Sequence, residues 1–468
     1  MTPAARNVIF GAPFDPYRLG NNAAAYSLSG SPANATYLYD GSNRLYYVAD
    51  RSGNSEVNGL VLPGVATNYA STPNAAANQI AADIALVGKC SLASLAASQC
   101  IIGKWASGNQ NYLFYSNSSG GLTMEYSTNG SSNTIKNSTV TLASVGIAAF
   151  ATWWLAVTQD VDNGAAGNDV KFWYSTNGTT WTQLGATVTT AGAITRFSST
   201  SVVEIGSIRA SLLPLTGIIE RATIYNGIPT AFGGAGGTVA FDANFTIAAK
   251  FATSFTESSS NAATVTITQT AIALPARIHG ARDLYQGLTA SMPTFSVSGG
   301  YNIATFDGTA DYLKSADFAG STSASVYLTG SGVSWTDLRC LADFTQGANA
   351  GLLQIRQNTT TPNIGFLNSG GTQANTTELA LGVRGVISVV NTAGGVNSIR
   401  INQLAANAGV AVSNSFGGVT LFARWATSTA DRFANGTFSA LLVRSVADNA
   451  SNELRINRYF MRLGGIAG

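Results

Sequence analysis

Along most of this chain apolar residues alternate with polar ones, and the 3.6-residue spacing of an amphipathic helix is scarce. The stretch Val157 to Gly185, VTQDVDNGAAGNDVKFWYSTNGTTWTQLG, carries the alternation most clearly. It predicts two strands around a Gly/Asn/Asp turn, then a second hairpin closed by Asn177-Gly178, since an N-G pair between alternating runs supplies the positive φ of a tight turn. Successive strand residues face opposite ways. Trp153 and Trp154 therefore point to opposite faces, and Trp173 points away from Phe172 and Tyr174. One stretch breaks the pattern: SNELRINRYFMRLGGIAG (Ser451 to Gly468) predicts a short helix near Asn452 to Leu463, capped by Ser451 or Asn452 and ended by Gly464 or Gly465.

The same order of elements occurs twice. Leu45 to Asn74 leads the first copy and Asp283 to Phe318 leads the second; each has a polar lead, an apolar strand, a Gly turn and a Tyr-containing strand. A cysteine-bearing strand follows (CIIGKW at Cys100, CLADFT at Cys340), then NYLFYS or GLLQIR. Next comes a long hairpin, DVKFWYSTNGTTWTQLG or Asn397 to Gly409. Leu215 to Ile228 closes one copy and Phe433 to Ala447 the other. Duplication explains this parallel order. Thr238 to Thr270 alternates well enough to add two strands to the first domain, with ESSSN as their turn. The domains expected are residues 41–274 and 275–468, with the boundary near Pro275. Residues 1–40, with Pro3, Pro13, Pro16 and Pro32 and little periodicity, read as an extended N-terminal arm ordered by a neighbouring subunit.

Composition sharpens this picture. Of 468 residues 45% are hydrophobic and 10% charged, with a net charge of +2. A chain with so many apolar residues is not disordered, and its many small turn residues suit an all-β protein. So weak a field, with no Lys/Arg cluster, argues against a nucleic-acid partner. The N-terminus has no apolar core and does not read as a signal peptide. Ser138 to Gln159 is free of charge, but its Ser, Thr, Gly and β-branched content reads as core strands, so no membrane partner is expected. Cys90, Cys100 and Cys340 form no C-x-x-C motif; Cys90 and Cys100 read as small buried apolar residues, with pairing across a hairpin as the alternative. The lone His279 leaves no His-based metal site or Ser-His-Asp triad.

The VDNG…KFWYSTNG…TWTQLG run, following LPGVATNYASTPN and IIGKWASGNQNYLFY, resembles the concanavalin-A-like, LamG-type jelly rolls of bacteriophage tail and other virion proteins. FDGTADYL (Phe306 to Leu313) and FANGTFSALLVR (Phe433 to Arg444) resemble the neighbouring signature strands of that fold, and the C-terminal helix is similar to one that follows such domains. The resemblance implies an all-β chain of two tandem concanavalin-A-like jelly-roll sandwiches. It implies a virion structural protein, made in the host cytoplasm, in the tail, a fibre or a surface decoration. The expected partners are other virion proteins, further copies of the chain, and host surface glycan. A carbohydrate-binding adhesin is the second reading and a polysaccharide-degrading enzyme the third.

Enzymes of this superfamily set two carboxylates on one strand about 5–5.5 Å apart, which appears in sequence as Glu-x-Asp-x-(x)-Glu. The seven glutamates here stand singly, none with an acid two residues away, so no catalysis is expected. Asp160, Asp162, Asn163 and Asp169 are the candidate metal residues: related lectin-like domains bind calcium at strand-end loops, and Ca²⁺ takes six to eight oxygen ligands. Asp-Asn-Gly is also ordinary turn chemistry. Trp153, Trp154, Trp173 and Tyr174 are the candidates for contact with glycan or with a partner protein, because flat aromatic faces cover the apolar face of a pyranose.

Overall fold

The computed structural model describes residues 16, 22–28, 37–39, 41–49, 58–272, 274–280, 282–318, 320–334, 338–344, 353–357, 363–367, 373–395, 397–409, 414–426 and 429–467. The chain folds as two jelly-roll sandwiches of two sheets each. In the first sandwich, sheet I runs in the order Thr182–Gln183, Gly167–Ser175, Thr152–Asp160, Ile84–Leu92, Thr216–Ile228, Asn58–Pro63, Arg277–Gly280. Its partner, sheet II, runs Thr134–Asn137, Leu122–Tyr126, Asn109–Ser116, Gln99–Ala106, Val203–Ile205, Tyr69–Thr72, Thr264–Thr268, Ser254–Thr256.

The second sandwich repeats this order for the first six strands of each sheet; the remaining edge strands close the first unit in the chain but open the second. Sheet III runs Asn407–Ala408, Ser398–Ile401, Gly385–Asn391, Ala324–Gly332, Asn435–Arg444, Tyr301–Asp307, Thr294–Ser298. Sheet IV begins Gln373–Glu378, Asn363–Leu367, Gln354–Gln357, Cys340–Asp343, Thr420–Leu421 and continues through Leu313–Lys314, Leu284–Tyr285, Leu45–Val48 and Tyr37–Tyr39. Matching order in all four sheets is what a duplicated unit produces. Alternation drives the packing. Leu86, Leu155, Val157, Phe172 and Ile224 of sheet I face Ile102, Tyr112 and Phe114 of sheet II in one buried core, and Val326, Leu328, Val389 and Leu441 join Phe344, Ile355 and Phe366 in the other.

The N-terminal segment departs from the arm expected of residues 1–40. Asn22–Ser27 pairs antiparallel with Asn435–Arg444, and Tyr37–Tyr39 and Leu45–Val48 extend sheet IV. Ala24, Tyr26, Leu28, Tyr37, Leu45 and Val48 all lie in the second sandwich's core. The segment is thus ordered by its own chain, since an exposed strand edge and a half-open core are available there; the remainder of 1–40 lies outside the described residues. The first sandwich is an insertion between two strands of the second. Its last strand is Arg277–Gly280, so the crossing falls after Gly280 rather than near Pro275, and Ala276 and Ile278 belong to the first core. ESSSN does form a turn, between Ser254–Thr256 and Thr264–Thr268, but the region contributes three strands with Gly236–Asn244.

At the crossing, Asp283 Oδ2 accepts from Tyr47 Oη at 2.8 Å, from the Gly280 N–H at 2.9 Å and from Lys250 Nζ at 3.1 Å. Around it the rings of Tyr46, Tyr47, Phe251, His279 and Tyr285 pack at centroid separations of 5.1 to 6.5 Å. His279 is buried, and burial drives its pKa down against the pull of Asp283.

The helix spans Ala450–Leu463 and is capped two or three residues earlier than the sequence suggests: Asn449 Oδ1 accepts from the Asn452 N–H at 3.0 Å, which is the role of an N-cap side chain. Gly464 ends it. Ile456, Phe460 and Met461 pack on Tyr327, Val386, Ala440 and Leu442, the outer face of sheet III. Glu453 fastens it, accepting from Arg400 Nε and Nη2 at 3.0 and 3.1 Å and from Ser388 Oγ at 2.8 Å. No helix among the described residues is long and apolar enough to cross a membrane.

Candidate functional site

The outer face of sheet I carries an aromatic cluster built by strand alternation. Trp154 lies opposite Lys89 and Ser175, Ala156 lies opposite Val87 and Trp173, and Thr158 lies opposite Ala85 and Lys171. Tyr225 and Thr223 continue these rows on the strand Thr216–Ile228, opposite Ala85 and Val87. Trp153 and Tyr174, one residue out of phase, turn the other way. They pack edge to face at 6.1 Å against the first core. The four candidate aromatics therefore divide: Trp153 and Tyr174 serve the core, while Trp154 and Trp173 face outward.

Two further rings complete the outer cluster. Trp181, beyond the Asn177-Gly178 turn, meets Trp154 edge to face at 6.5 Å, and Phe232 lies 4.5 Å from Trp181 and 6.0 Å from Trp173. The turn must close over Trp154. Gly178 has φ +73°, and a Cβ there would lie 2.7 Å from the Trp154 ring, so no larger residue fits. Trp173 Nε1 donates to Thr158 Oγ1 at 3.1 Å and Trp181 Nε1 to the Gly178 carbonyl at 3.0 Å, so both indole N–H groups are satisfied and the rings offer their faces. Phe232 and Tyr225 escaped the sequence reading. Phe232 sits in IPTAFGGAGG, which has no strand pattern and signals only a turn.

Charges border the cluster in pairs. Lys89 Nζ lies 5.8 Å from the Trp154 ring centroid and 2.5 Å from Glu220 Oε2. Arg221 clasps Asp242 through Nε and Nη2 at 2.6 and 2.7 Å, and Thr223 Oγ1 adds a third bond to Asp242 at 3.0 Å.

The candidate calcium residues share one hairpin, and each has a side-chain oxygen bonded within it. Asp160 Oδ1 and Asp162 Oδ1 accept from backbone N–H groups of their own turn, and Asn163 Oδ1 accepts from Ala165 and Gly167. Asp169 Oδ1 is taken by Asn163 Nδ2 at 3.0 Å and Thr189 Oγ1 at 2.7 Å. These are turn bonds of the Asx kind. Burial, then Asp83 and Asp169, hold the Asp160 carboxyl above its ordinary range. Among the described residues no group of three or more His, Cys, Asp and Glu side chains is placed to hold a metal. Cys90 and Cys100 are free and buried, on different sheets.

No protein-family model matches the chain, and no curated protein matches it in sequence. Among solved structures it is similar to the LG1–3 region of the laminin α2 chain, at 10% identity over 84% of this chain and 63% of that one, with a TM-score of 0.34. It is similar to the mouse laminin α1 LG4–5 domains at 10% identity, covering 86% and 94% of the two chains, with a TM-score of 0.30. It is also similar to the Ruminococcus gnavus IT-sialidase CBM40 bound to α2,3-sialyllactose, at 18% identity over 38% of this chain and 94% of that one, with a TM-score of 0.28. Likeness at this level carries no functional argument, and the assignment of two jelly-roll sandwiches rests on the strand order itself.

Proposed function

We propose that the chain is a non-catalytic structural and recognition protein: a tail, fibre or surface-decorating component of a bacteriophage virion, whose sandwiches meet neighbouring virion proteins, further copies of the chain, or the host surface. The crossing between the sandwiches is the observation that supports this most. A buried Asp283 held by three donors and five packed rings join the sandwiches at the crossing, which suits a part that transmits position through an assembly. The virion setting comes from the sequence resemblance. Mass spectrometry and antibody labelling of purified particles test it: the protein should be present at fixed stoichiometry, and particles that lack it would refute the reading.

A glycan-binding adhesin is the second reading, favoured by the outward rings Trp154, Trp173 and Trp181. Its test is a glycan array probed with the intact protein and with Trp173→Ala. Binding that is lost in the variant, with the fold preserved, would place this reading first.

A further inference from the structure

The aromatic cluster on sheet I has the form of a filled slot. Its floor is made of small side chains, Ala85, Val87 and Ala156. One wall is Trp154, Trp173 and Trp181; Tyr225 and Ile228 stand on the other side. Adjacent strands are about 4.8 Å apart, so a floor two strands wide between such walls leaves room for a single ring. Phe232 supplies that ring and is only 5% exposed.

Phe232 does not come from the sheet. It is carried by a short turn, Thr230–Phe232, that follows the strand Thr216–Ile228. The N–H groups of Phe232 and Gly234 donate to the Pro229 carbonyl, and that of Gly233 donates to the Thr230 carbonyl. These bonds are internal, so the turn can lift as a unit without orphaning them. Gly227 at φ +87° is held in the ladder opposite Gly237 and by its N–H bond to the Asp83 carbonyl, whereas glycines in the left-handed region with open space beside them lie on the turn's C-terminal side, Gly233 at φ +79° and Gly236 at +132°. Such positions accept large backbone rotations at low steric cost.

We propose that Phe232 is a removable plug, and that the slot it vacates binds one neutral pyranose ring of a surface saccharide, the sugar's apolar face lying on Trp173 and Trp181. This rests on the glycan-binding reading and adds to it a site and a gate. Phe232 marks the size of the occupant, since a six-membered ring already sits there at stacking distance. The rim marks its charge. Lys89 is matched by Glu220 and Arg221 by Asp242, and Lys171 on the same face lies within range of Asp160, so the charges here stand beside opposite ones and hydrogen-bonding groups are left for hydroxyls. When a competent state is only partly populated, the apparent dissociation constant rises by that fraction. A plug seated nine-tenths of the time would weaken binding about tenfold.

The test uses the full chain. Neutral oligosaccharides are screened on an array, and a hit is titrated by tryptophan fluorescence against the wild type, Phe232→Ala and Trp173→Ala, with circular dichroism as the check on folding. Phe232→Ala should bind about tenfold more tightly than the wild type, and Trp173→Ala should not bind. Hydrogen exchange of residues 229–237 in the wild type should speed up when saccharide is added, which decides the matter even if Phe232→Ala does not fold. Equal affinity of wild type and Phe232→Ala, with no change in exchange, would overturn the plug. Binding that survives Trp173→Ala would overturn the slot while leaving glycan recognition to another surface. If neither the wild type nor Phe232→Ala bound any saccharide, both readings would fall.

Discussion

Tyr26→Ala separates a strand that belongs to the fold from an arm that waits for a neighbour. Tyr26 is fully buried in the second core, and its Oη donates to the Arg282 carbonyl at 2.6 Å. Truncating a buried aromatic costs about 3–5 kcal/mol, and the lost hydrogen bond adds on the order of 1. For a sandwich of this size each kcal/mol moves the midpoint by roughly 2–4 °C, so the second sandwich should melt roughly 8–24 °C lower. Two domains need not melt together. The assay is therefore calorimetry of the isolated protein, with the first sandwich's transition as internal control: one transition should fall while the other stays. An unchanged thermogram would refute the reasoning, because it would mean that the pairing of Asn22–Ser27 with Asn435–Arg444 contributes nothing in the absence of a partner.

Other outcomes follow from features already described. Glu453→Gln should cost about 1–3 kcal/mol by leaving the half-buried Arg400 without its counter-charge, and should free the helix to early proteolysis; a protease-resistant variant would count against the anchor. In the FDGTADYL turn, burial and then the Asp307 carboxylate push Asp311 up to about 6; burial also pulls Asp307 upward, but the N–H groups of Ala310, Thr309 and Asp311 and the Thr309 hydroxyl outweigh it and hold Asp307 at about 2. Asp311 binds its proton more tightly when folded, so the urea midpoint should rise as pH falls from 7 towards about 4.5; below about 4 the contribution of Asp307 is lost and the midpoint should fall. Asp311→Asn should flatten the upper limb, and an unchanged pH profile would contradict this. Because Val48 pairs directly with Leu284, replacing residues 49–283 by an Asn-Gly turn should leave a second sandwich that folds alone, seen as one cooperative strand-rich transition; a disordered product would show that the sandwiches depend on each other.

The parts legible in the sequence were those written in local alternation. The hairpin Thr152–Asp160 with Gly167–Ser175 and the opposite facing of Trp153 and Trp154 follow from a period of two. The repeated strand order was legible because each copy spells it separately. What escaped was decided at long range. NAAAYS at Asn22–Ser27 is short and alanine-rich, with no pattern to show that its partner lies some 400 residues away. Phe232 is one ring in a glycine-rich turn, and only the fold shows that it lands on Trp181. The Asp160 to Asp169 loop reads two ways in sequence, because turn chemistry and cation chemistry use the same residues; the fold adds the turn bonds that its oxygens make.

The insertion of one sandwich into the other imposes an order in time on a chain made from its N-terminus. The first sandwich is complete once Gly280 has left the ribosome, whereas Asn22–Ser27, synthesised before it, must wait for Asn435–Arg444. At about 5–20 residues per second, the roughly 160 residues between these points take on the order of 8 to 30 seconds. Through that interval the nascent chain holds out an unpaired apolar strand, Ala24, Tyr26 and Leu28 included, beside a finished domain. Nascent chains on one message pass through this stage side by side, and each carries the strand that would close its neighbour's second sandwich. Exchange of that strand between chains is thus a hazard of synthesis, or a route to a paired product, governed by the spacing of ribosomes rather than by the stability of the finished fold.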